Sequence, residues 1–284
     1  MNGALGFRNC GSVLITGANR GLGLQMVETL ASGAFSPGKI IATARNPAAA
    51  QKLQELAQKY PNIHITTLDV VSQESIDKAV EAVAQLVKED GLNCLINNAG
   101  VNVLADFHNV TPDMMIENYH TNTVAPVMIT KAFLPLLKQA ASRGGAGGSA
   151  TMGIHRAAVI NISSMLGSVA LSWDDGDDFK WYPYRASKSA LNMMSRCMAA
   201  DLKPDGILCM AIHPGWVRTD MGGSEGDLST EESITATLSV IGGLTERIMG
   251  LFSTIQGRCC PGDPDHHSNQ QDDYEPCQLI LSAM

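Results

Sequence analysis

The chain has 284 residues, 45% hydrophobic and 17% charged, which excludes a disordered protein and suits one large α/β domain or two small ones. Twenty basic and 28 acidic residues leave a net charge of −8, the wrong sign for general nucleic-acid binding. No uncharged apolar run approaches the ~18 residues of a membrane helix, the start lacks a signal peptide's regions, and the 7 cysteines are an odd number; these predict reduced thiols in a soluble, cytoplasmic chain.

In chain order, short apolar runs alternate with helical patterns. Residues 12–16, 39–45, 63–68, 92–97, 157–163 and 207–213 are near-continuous in Val, Ile, Leu and Ala, as strands covered on both faces should be. Asn46 and Pro47 predict an N-cap and first turn for a helix running toward Tyr60. Ser72 opens another, with Ile76, Val80, Val83 and Val87 on one face. Ser229-Thr230-Glu231-Glu232 fits a capping box, followed by Ile234, Leu238 and Ile241 at helical spacing. The alternation predicts an α/β, Rossmann-type doubly wound parallel sheet with helices on both faces, in a single domain over 1–258.

Three stretches interrupt this pattern. Residues 144–153 are Gly-rich and read as a surface connector. Residues 171–183 (LSWDDGDDFKWYP) mix four aspartates with Trp173, Phe179, Trp181 and Tyr182. Residues 259–284 have no strand or helix period until the last few and predict a disordered tail. Neither the DDGDD run nor Cys259, Cys260, His266, His267 and Cys277 has the spacing of a calcium or zinc site, so no metal is expected.

Between the first strand and the first helix lies TGANRGLG, with glycines at 17, 21 and 23. Glycines there permit a tight turn and let backbone N–H groups approach a pyrophosphate at the helix N-terminus. The second strand ends in Ala44-Arg45, 22 residues beyond Gly23, and no acid occurs between Lys39 and Pro47. A carboxylate there would take a ribose 2′-hydroxyl and repel a 2′-phosphate, whereas Arg45, helped by Arg20, can pair with the phosphate. Either arginine also reads as a solvated surface residue. On balance the pattern favours NADP over NAD.

Tyr184 and Lys188 are four residues apart on a predicted helix and share its face. A free phenol is a poor proton donor or acceptor at neutral pH, and a nearby ammonium is expected to lower its pKa. About 0.2 such Tyr-x-x-x-Lys pairs are expected by chance in this composition, so the pair alone is only suggestive. Ser164 follows the fifth strand, where ligands meet an open α/β sheet, and can donate to a carbonyl oxygen as charge develops.

TGANRGLG, Asn97–Gly100 (NNAG), Asn122, Ser164, Tyr184-Arg185-Ala186-Ser187-Lys188 and His213-Pro214-Gly215, in this order, resemble the short-chain dehydrogenase/reductase superfamily. Within it, ANRGLG, ATARNP, PYRASKSALN and HPGWVRTDMGG are similar to the C-factor-like, sniffer-type carbonyl reductases. The resemblance implies a catalytic set of Asn122, Ser164, Tyr184 and Lys188. It implies cofactor contacts from Gly17, Asn19, Arg20, Gly21, Leu22, Gly23, Arg45, Asp69, Val70, Asn98, Ala99, Gly100, Tyr184 and Lys188. Pro214, Gly215, Val217 and Thr219 would flank the nicotinamide. Asn122 would hold a water linking Lys188 to solvent, and residues 171–183 would form a lid above the nicotinamide whose aspartates disfavour anionic substrates. The implied activity is NADPH-dependent reduction of ketone, aldehyde or quinone carbonyls in small neutral molecules, with Tyr184 as general acid. An NADP-binding signalling or scaffold protein with little turnover is the reading from another class, and Tyr184 argues against it. The superfamily also implies a homodimer through the helices bearing Asn122 and Tyr184; Ala190, Leu191, Met194, Met198 and Leu202 form an apolar stripe on the second, a pattern more often core than interface.

Overall fold

The computed structural model describes residues 3–143, 151–170 and 180–255. Most of the Gly-rich connector, residues 171–179 of the predicted lid and the predicted tail lie outside the described residues. Six strands form where the apolar runs predict them: β1 (Ser12–Ile15), β2 (Lys39–Ala44), β3 (Ile63–Thr67), β4 (Cys94–Asn97), β5 (Ala158–Ile162) and β6 (Leu208–His213). A seventh, β7 (Phe252–Thr254), was too short for its pattern to register. All pair in parallel in the order β3-β2-β1-β4-β5-β6-β7. The predicted runs overshoot by a residue or two at most ends, where single bonds such as Thr16 N–H to the Ile96 carbonyl (3.0 Å) continue past the paired register.

Successive residues of each strand enter different cores, as the two-residue period of a pleated strand requires. Val13, Ile15, Ile40, Ile96, Ile160 and Met210 pack with α1 (Gly3–Arg8), α2 (Gly21–Ala31), α3 (Gln51–Lys59) and α8 (Thr230–Gly242). Leu14, Ile41, Leu95, Val159 and Cys209 pack with α4 (Gln73–Val87), α6 (Ala125–Arg143) and α7 (Tyr182–Leu202). The expected doubly wound layering is therefore present. Among the described residues, no helix is long and apolar enough to cross a membrane.

Local signals decide the helix starts. Ser72 accepts from Ser75 N–H and opens α4, and Ser229 with Glu232 forms the complete capping box of α8. The expected helix at 47–60 is broken: a 3-10 turn, Pro47–Ala49, precedes α3, and the Asn46 side chain makes no capping bond. Ala50 (φ −92, ψ 64) separates the two; its N–H donates to the Pro47 carbonyl at 3.1 Å, closing the 3-10 turn, and Gln54 Nε2 donates to the same carbonyl at 2.8 Å. The helix carrying Asn122 is also interrupted. α5 (Pro112–Tyr119) passes into α6 through a π-turn at His120–Val124, the one-turn widening that often accompanies functional sites.

Candidate active site

β1 lies between β2 and β4, so the strand order reverses beside it and the C-terminal ends of β1 and β4 open a crevice. The glycine loop enters it with Gly17 and Gly21 in the left-handed region (φ 67 and 56). Gly23 has no such φ; a Cβ there would lie 2.6 Å from Asn98 Nδ2 and 3.0 Å from Ala18 Cα. Thr16 ties this loop to the segment after β4. Its Oγ1 accepts from Asn98 and Ala99 N–H, both at 3.0 Å, and Asn98 Nδ2 donates back to the Thr16 carbonyl at 2.9 Å. The first N–H groups of α2 have no intrahelical partners, and no acid occupies its first turn.

The crevice is a cleft of about 610 Å³. Gly17, Asn19, Arg20, Gly21, Leu22, Arg45, Asp69, Val70, Asn98, Ala99, Gly100, Tyr184, Lys188, Pro214 and Thr219 line it. Gly23 supports the loop from behind. Gly215 (φ 86) and Val217 are also set back: a Cβ at Gly215 would come 2.6 Å from Leu228 Cδ1, and Val217 bridges to Leu228. The cleft fits an elongated polyphosphate ligand in its glycine floor, helix N-terminus and two guanidiniums, Arg20 and Arg45.

Next to the cleft-lining Ser163, Ser164 is buried after β5 and caps a 3-10 turn, Met165–Gly167, by accepting from Leu166 N–H at 3.2 Å. Its side chain also hydrogen-bonds Tyr184. Lys188 is buried one turn along α7; its Nζ donates to the Ile162 carbonyl at 2.7 Å and lies 5.6 Å from the Tyr184 ring centre. The expectation that the ammonium dominates the phenol is corrected here. Desolvation pushes Tyr184 up to about 12, against the opposing Ser164 bond, and pulls Lys188 down to about 8. Burial disfavours both charged forms. At neutral pH the site therefore holds a neutral phenol beside an ammonium.

Asn122 is fully buried in the π-turn. It accepts from Val101 N–H at 2.9 Å and donates to the Val101 carbonyl at 2.8 Å and to Ser187 Oγ at 3.0 Å. Its direct partners are thus the segment after β4 and the residue next to Lys188. Sequence reasoning missed Thr16, Ser187 and the Ile162 carbonyl. The first two stand inside the quoted motifs, but only the folded chain shows what they touch.

Two further features border the site. Trp181, within the described part of residues 171–183, adopts φ 80, held by Trp181 and Tyr182 N–H donating to the Ala105 carbonyl at 2.8 and 3.0 Å. Its ring packs edgewise against Tyr184, centres 6.4 Å apart. On the outer side, α5 and α7 flank an apolar groove of about 420 Å³ lined by Met115, Ile116, Tyr119, Val124, Pro183 and Ala186.

The profile of the short chain dehydrogenase family matches residues 12–229. The carbonyl reductase Sniffer of D. melanogaster is 41% identical and superposes with a TM-score of 0.81 over 87% of this chain and 97% of that one. An NADPH-bound carbonyl reductase from chicken fatty liver is 41% identical, with a TM-score of 0.82 over 88% of this chain and 94% of that one. The C-signal protein of Myxococcus xanthus is 37% identical over 171 residues, 60% of this chain and 92% of that protein.

Proposed function

This chain belongs to the short chain dehydrogenase family, and on that premise we propose that it is an NADPH-dependent carbonyl reductase acting on small neutral ketones, aldehydes or quinones. One observation carries the reading: half-buried Tyr184 and buried Lys188 line a cleft floored by the glycine loop, with buried Ser164 hydrogen-bonded to Tyr184 behind them. The NADPH-bound chicken liver enzyme, 41% identical, supports the choice of cofactor. So do Arg20 and Arg45 in the cleft and the absence of any acid between Lys39 and Pro47. Asp69 and Val70 would meet the adenine, Asn98 to Gly100 the central part, and Pro214 and Thr219 the nicotinamide end.

Bound NADPH supplies hydride to the carbonyl carbon. Ser164 donates its hydroxyl to the carbonyl oxygen as negative charge develops. Tyr184 transfers its phenolic proton to that oxygen, and the burial that holds it up to about 12 keeps this proton in place at neutral pH. Lys188, anchored on the Ile162 carbonyl, offsets the negative charge left on the phenolate. Asn122 keeps the Val101 segment and Ser187 in register around both. The homodimer of this reading would pack through the α5–α7 groove.

The test is NADPH oxidation with neutral quinones, diketones and aldehydes, NADH alongside, in wild type and Tyr184→Phe. Loss of the phenolic proton should cost about 10³-fold in kcat while NADPH affinity stays within about twofold. Full turnover by the variant rejects the assignment. NADPH binding without turnover on any carbonyl moves the protein to the signalling or scaffold class.

A further inference from the structure

The two cationic groups assigned to a 2′-phosphate are not equally available in the free protein. Arg20 Nη1 lies 2.9 Å from Asp220 Oδ2, an ion pair between residues 200 positions apart. Arg20 comes from the glycine loop and Asp220 from the segment between β6 and α8, and both line the cleft. The pair therefore joins two separate segments of the cleft lining.

Asp220 is held there by a turn with its own hydrogen bonds. Thr219 Oγ1 accepts from Gly222 N–H at 3.0 Å and the Thr219 carbonyl accepts from Gly223 N–H at 2.9 Å. Trp216 Nε1 donates to the Gly222 carbonyl at 2.8 Å, and Arg218 and Leu228 exchange backbone bonds with Leu228 and Trp216 at 2.9 and 3.0 Å. The neighbouring cation, Arg218, is engaged elsewhere, by the Gly226 and Asp227 carbonyls and by Glu232. The turn thus fixes the backbone from which Asp220 reaches Arg20, while both side chains stay largely exposed at 79% and 66%.

We propose that Asp220 sets cofactor selectivity: its carboxylate holds Arg20 in the free protein, and the 2′-phosphate of NADP must displace it to gain that guanidinium. The inference rests on the NADP reading above and adds a residue that works against it. A ligand that needs a released Arg20 sees its affinity reduced by the fraction of time Arg20 is free. For an exposed pair of ordinary strength, that fraction corresponds to an affinity deficit of about two- to sixfold. A dinucleotide without the 2′-phosphate has no use for Arg20 and is unaffected.

The experiment is calorimetric titration of NADP and NAD, with adenosine 2′,5′-bisphosphate as a third probe, into wild type, Asp220→Asn, Arg20→Ala and the double variant. Asp220→Asn should bind NADP and the bisphosphate about two- to sixfold more tightly, leave NAD unchanged, and lose its gain in the Arg20→Ala background. Unchanged or weaker NADP binding by Asp220→Asn, in a wild type that prefers NADP, overturns the proposal alone. Equal loosening of NADP and NAD also overturns it and makes the pair a clamp retained over the bound pyrophosphate. A wild type that binds NAD as tightly as NADP overturns the cofactor reading itself.

Discussion

Replacing Asn122 by alanine tests how the site is assembled, because this one side chain joins three elements. It removes the bonds to Val101 N–H (2.9 Å), the Val101 carbonyl (2.8 Å) and Ser187 Oγ (3.0 Å) from a residue with no exposed surface. At about 1 kcal/mol net for each bond, the fold should lose roughly 2–4 kcal/mol. For a chain of this size that corresponds to a fall in Tm of roughly 5–10 °C. Ser187 also donates to the Tyr184 carbonyl at 2.8 Å, so the loss reaches the turn of α7 that carries the proton donor. A displacement of that turn by about 1 Å would cost kcat on the order of 100-fold, with KM changing far less. Urea unfolding with an unchanged m-value, followed by steady-state kinetics on the folded variant, reads both effects. A loss below about 1 kcal/mol together with wild-type kcat would show that the clamp is incidental and refute the reasoning.

The pH dependence should follow Lys188. Its pKa of about 8 in the free protein predicts that kcat/KM for reduction falls about tenfold per unit above that value. Tyr184, at about 12, contributes no limb in the range. A profile flat to pH 10 would contradict the role given to the ammonium. Because folding lowers the lysine pKa from 10.5, the unfolded chain binds the extra proton between about 8 and 10.5, and this group's contribution to stability rises with pH across that window. Gly23→Ala would push Asn98 Nδ2 and Ala18 Cα from 2.6 and 3.0 Å; the expected result is about 1–3 kcal/mol of lost stability with weakened NADPH binding by fluorescence titration, and an unchanged Kd would remove the glycine floor from the site. Ile116 is 63% exposed beside the α5–α7 groove, so Ile116→Glu should leave the fold intact and convert a dimer to monomer in sedimentation velocity. A wild type that sediments as a monomer at micromolar concentration would rule out that interface.

Much of this architecture was legible before any coordinates. Runs such as Val13-Leu14-Ile15 and Leu95-Ile96 are apolar at every position, which only a strand covered on both faces tolerates. The capping serines at 72 and 229 announce their helices because the partners lie within three residues. The glycine loop, Ser164 and the Tyr184–Lys188 pair were recognisable for the same reason: each is a local pattern.

What the chain order concealed was interaction between segments far apart in sequence. β7 has three residues and forms only because β6 presents an edge. The break at Ala50 is accompanied by a Gln54 side-chain bond back to Pro47, seven residues away, that no helical period encodes. The balance at Tyr184 is also tertiary, since a lysine four residues away predicts a lowered pKa and the surrounding protein, by removing water, imposes the opposite. Residues 20 and 220 become neighbours only when β1 and β6 enter one sheet. Sequence by itself determined the layers, the glycine floor and the identity of the chemical groups, because those depend on local geometry. Which of the groups are charged, which are already engaged, and which face one another depended on desolvation and long-range contact, and these exist only in the folded chain.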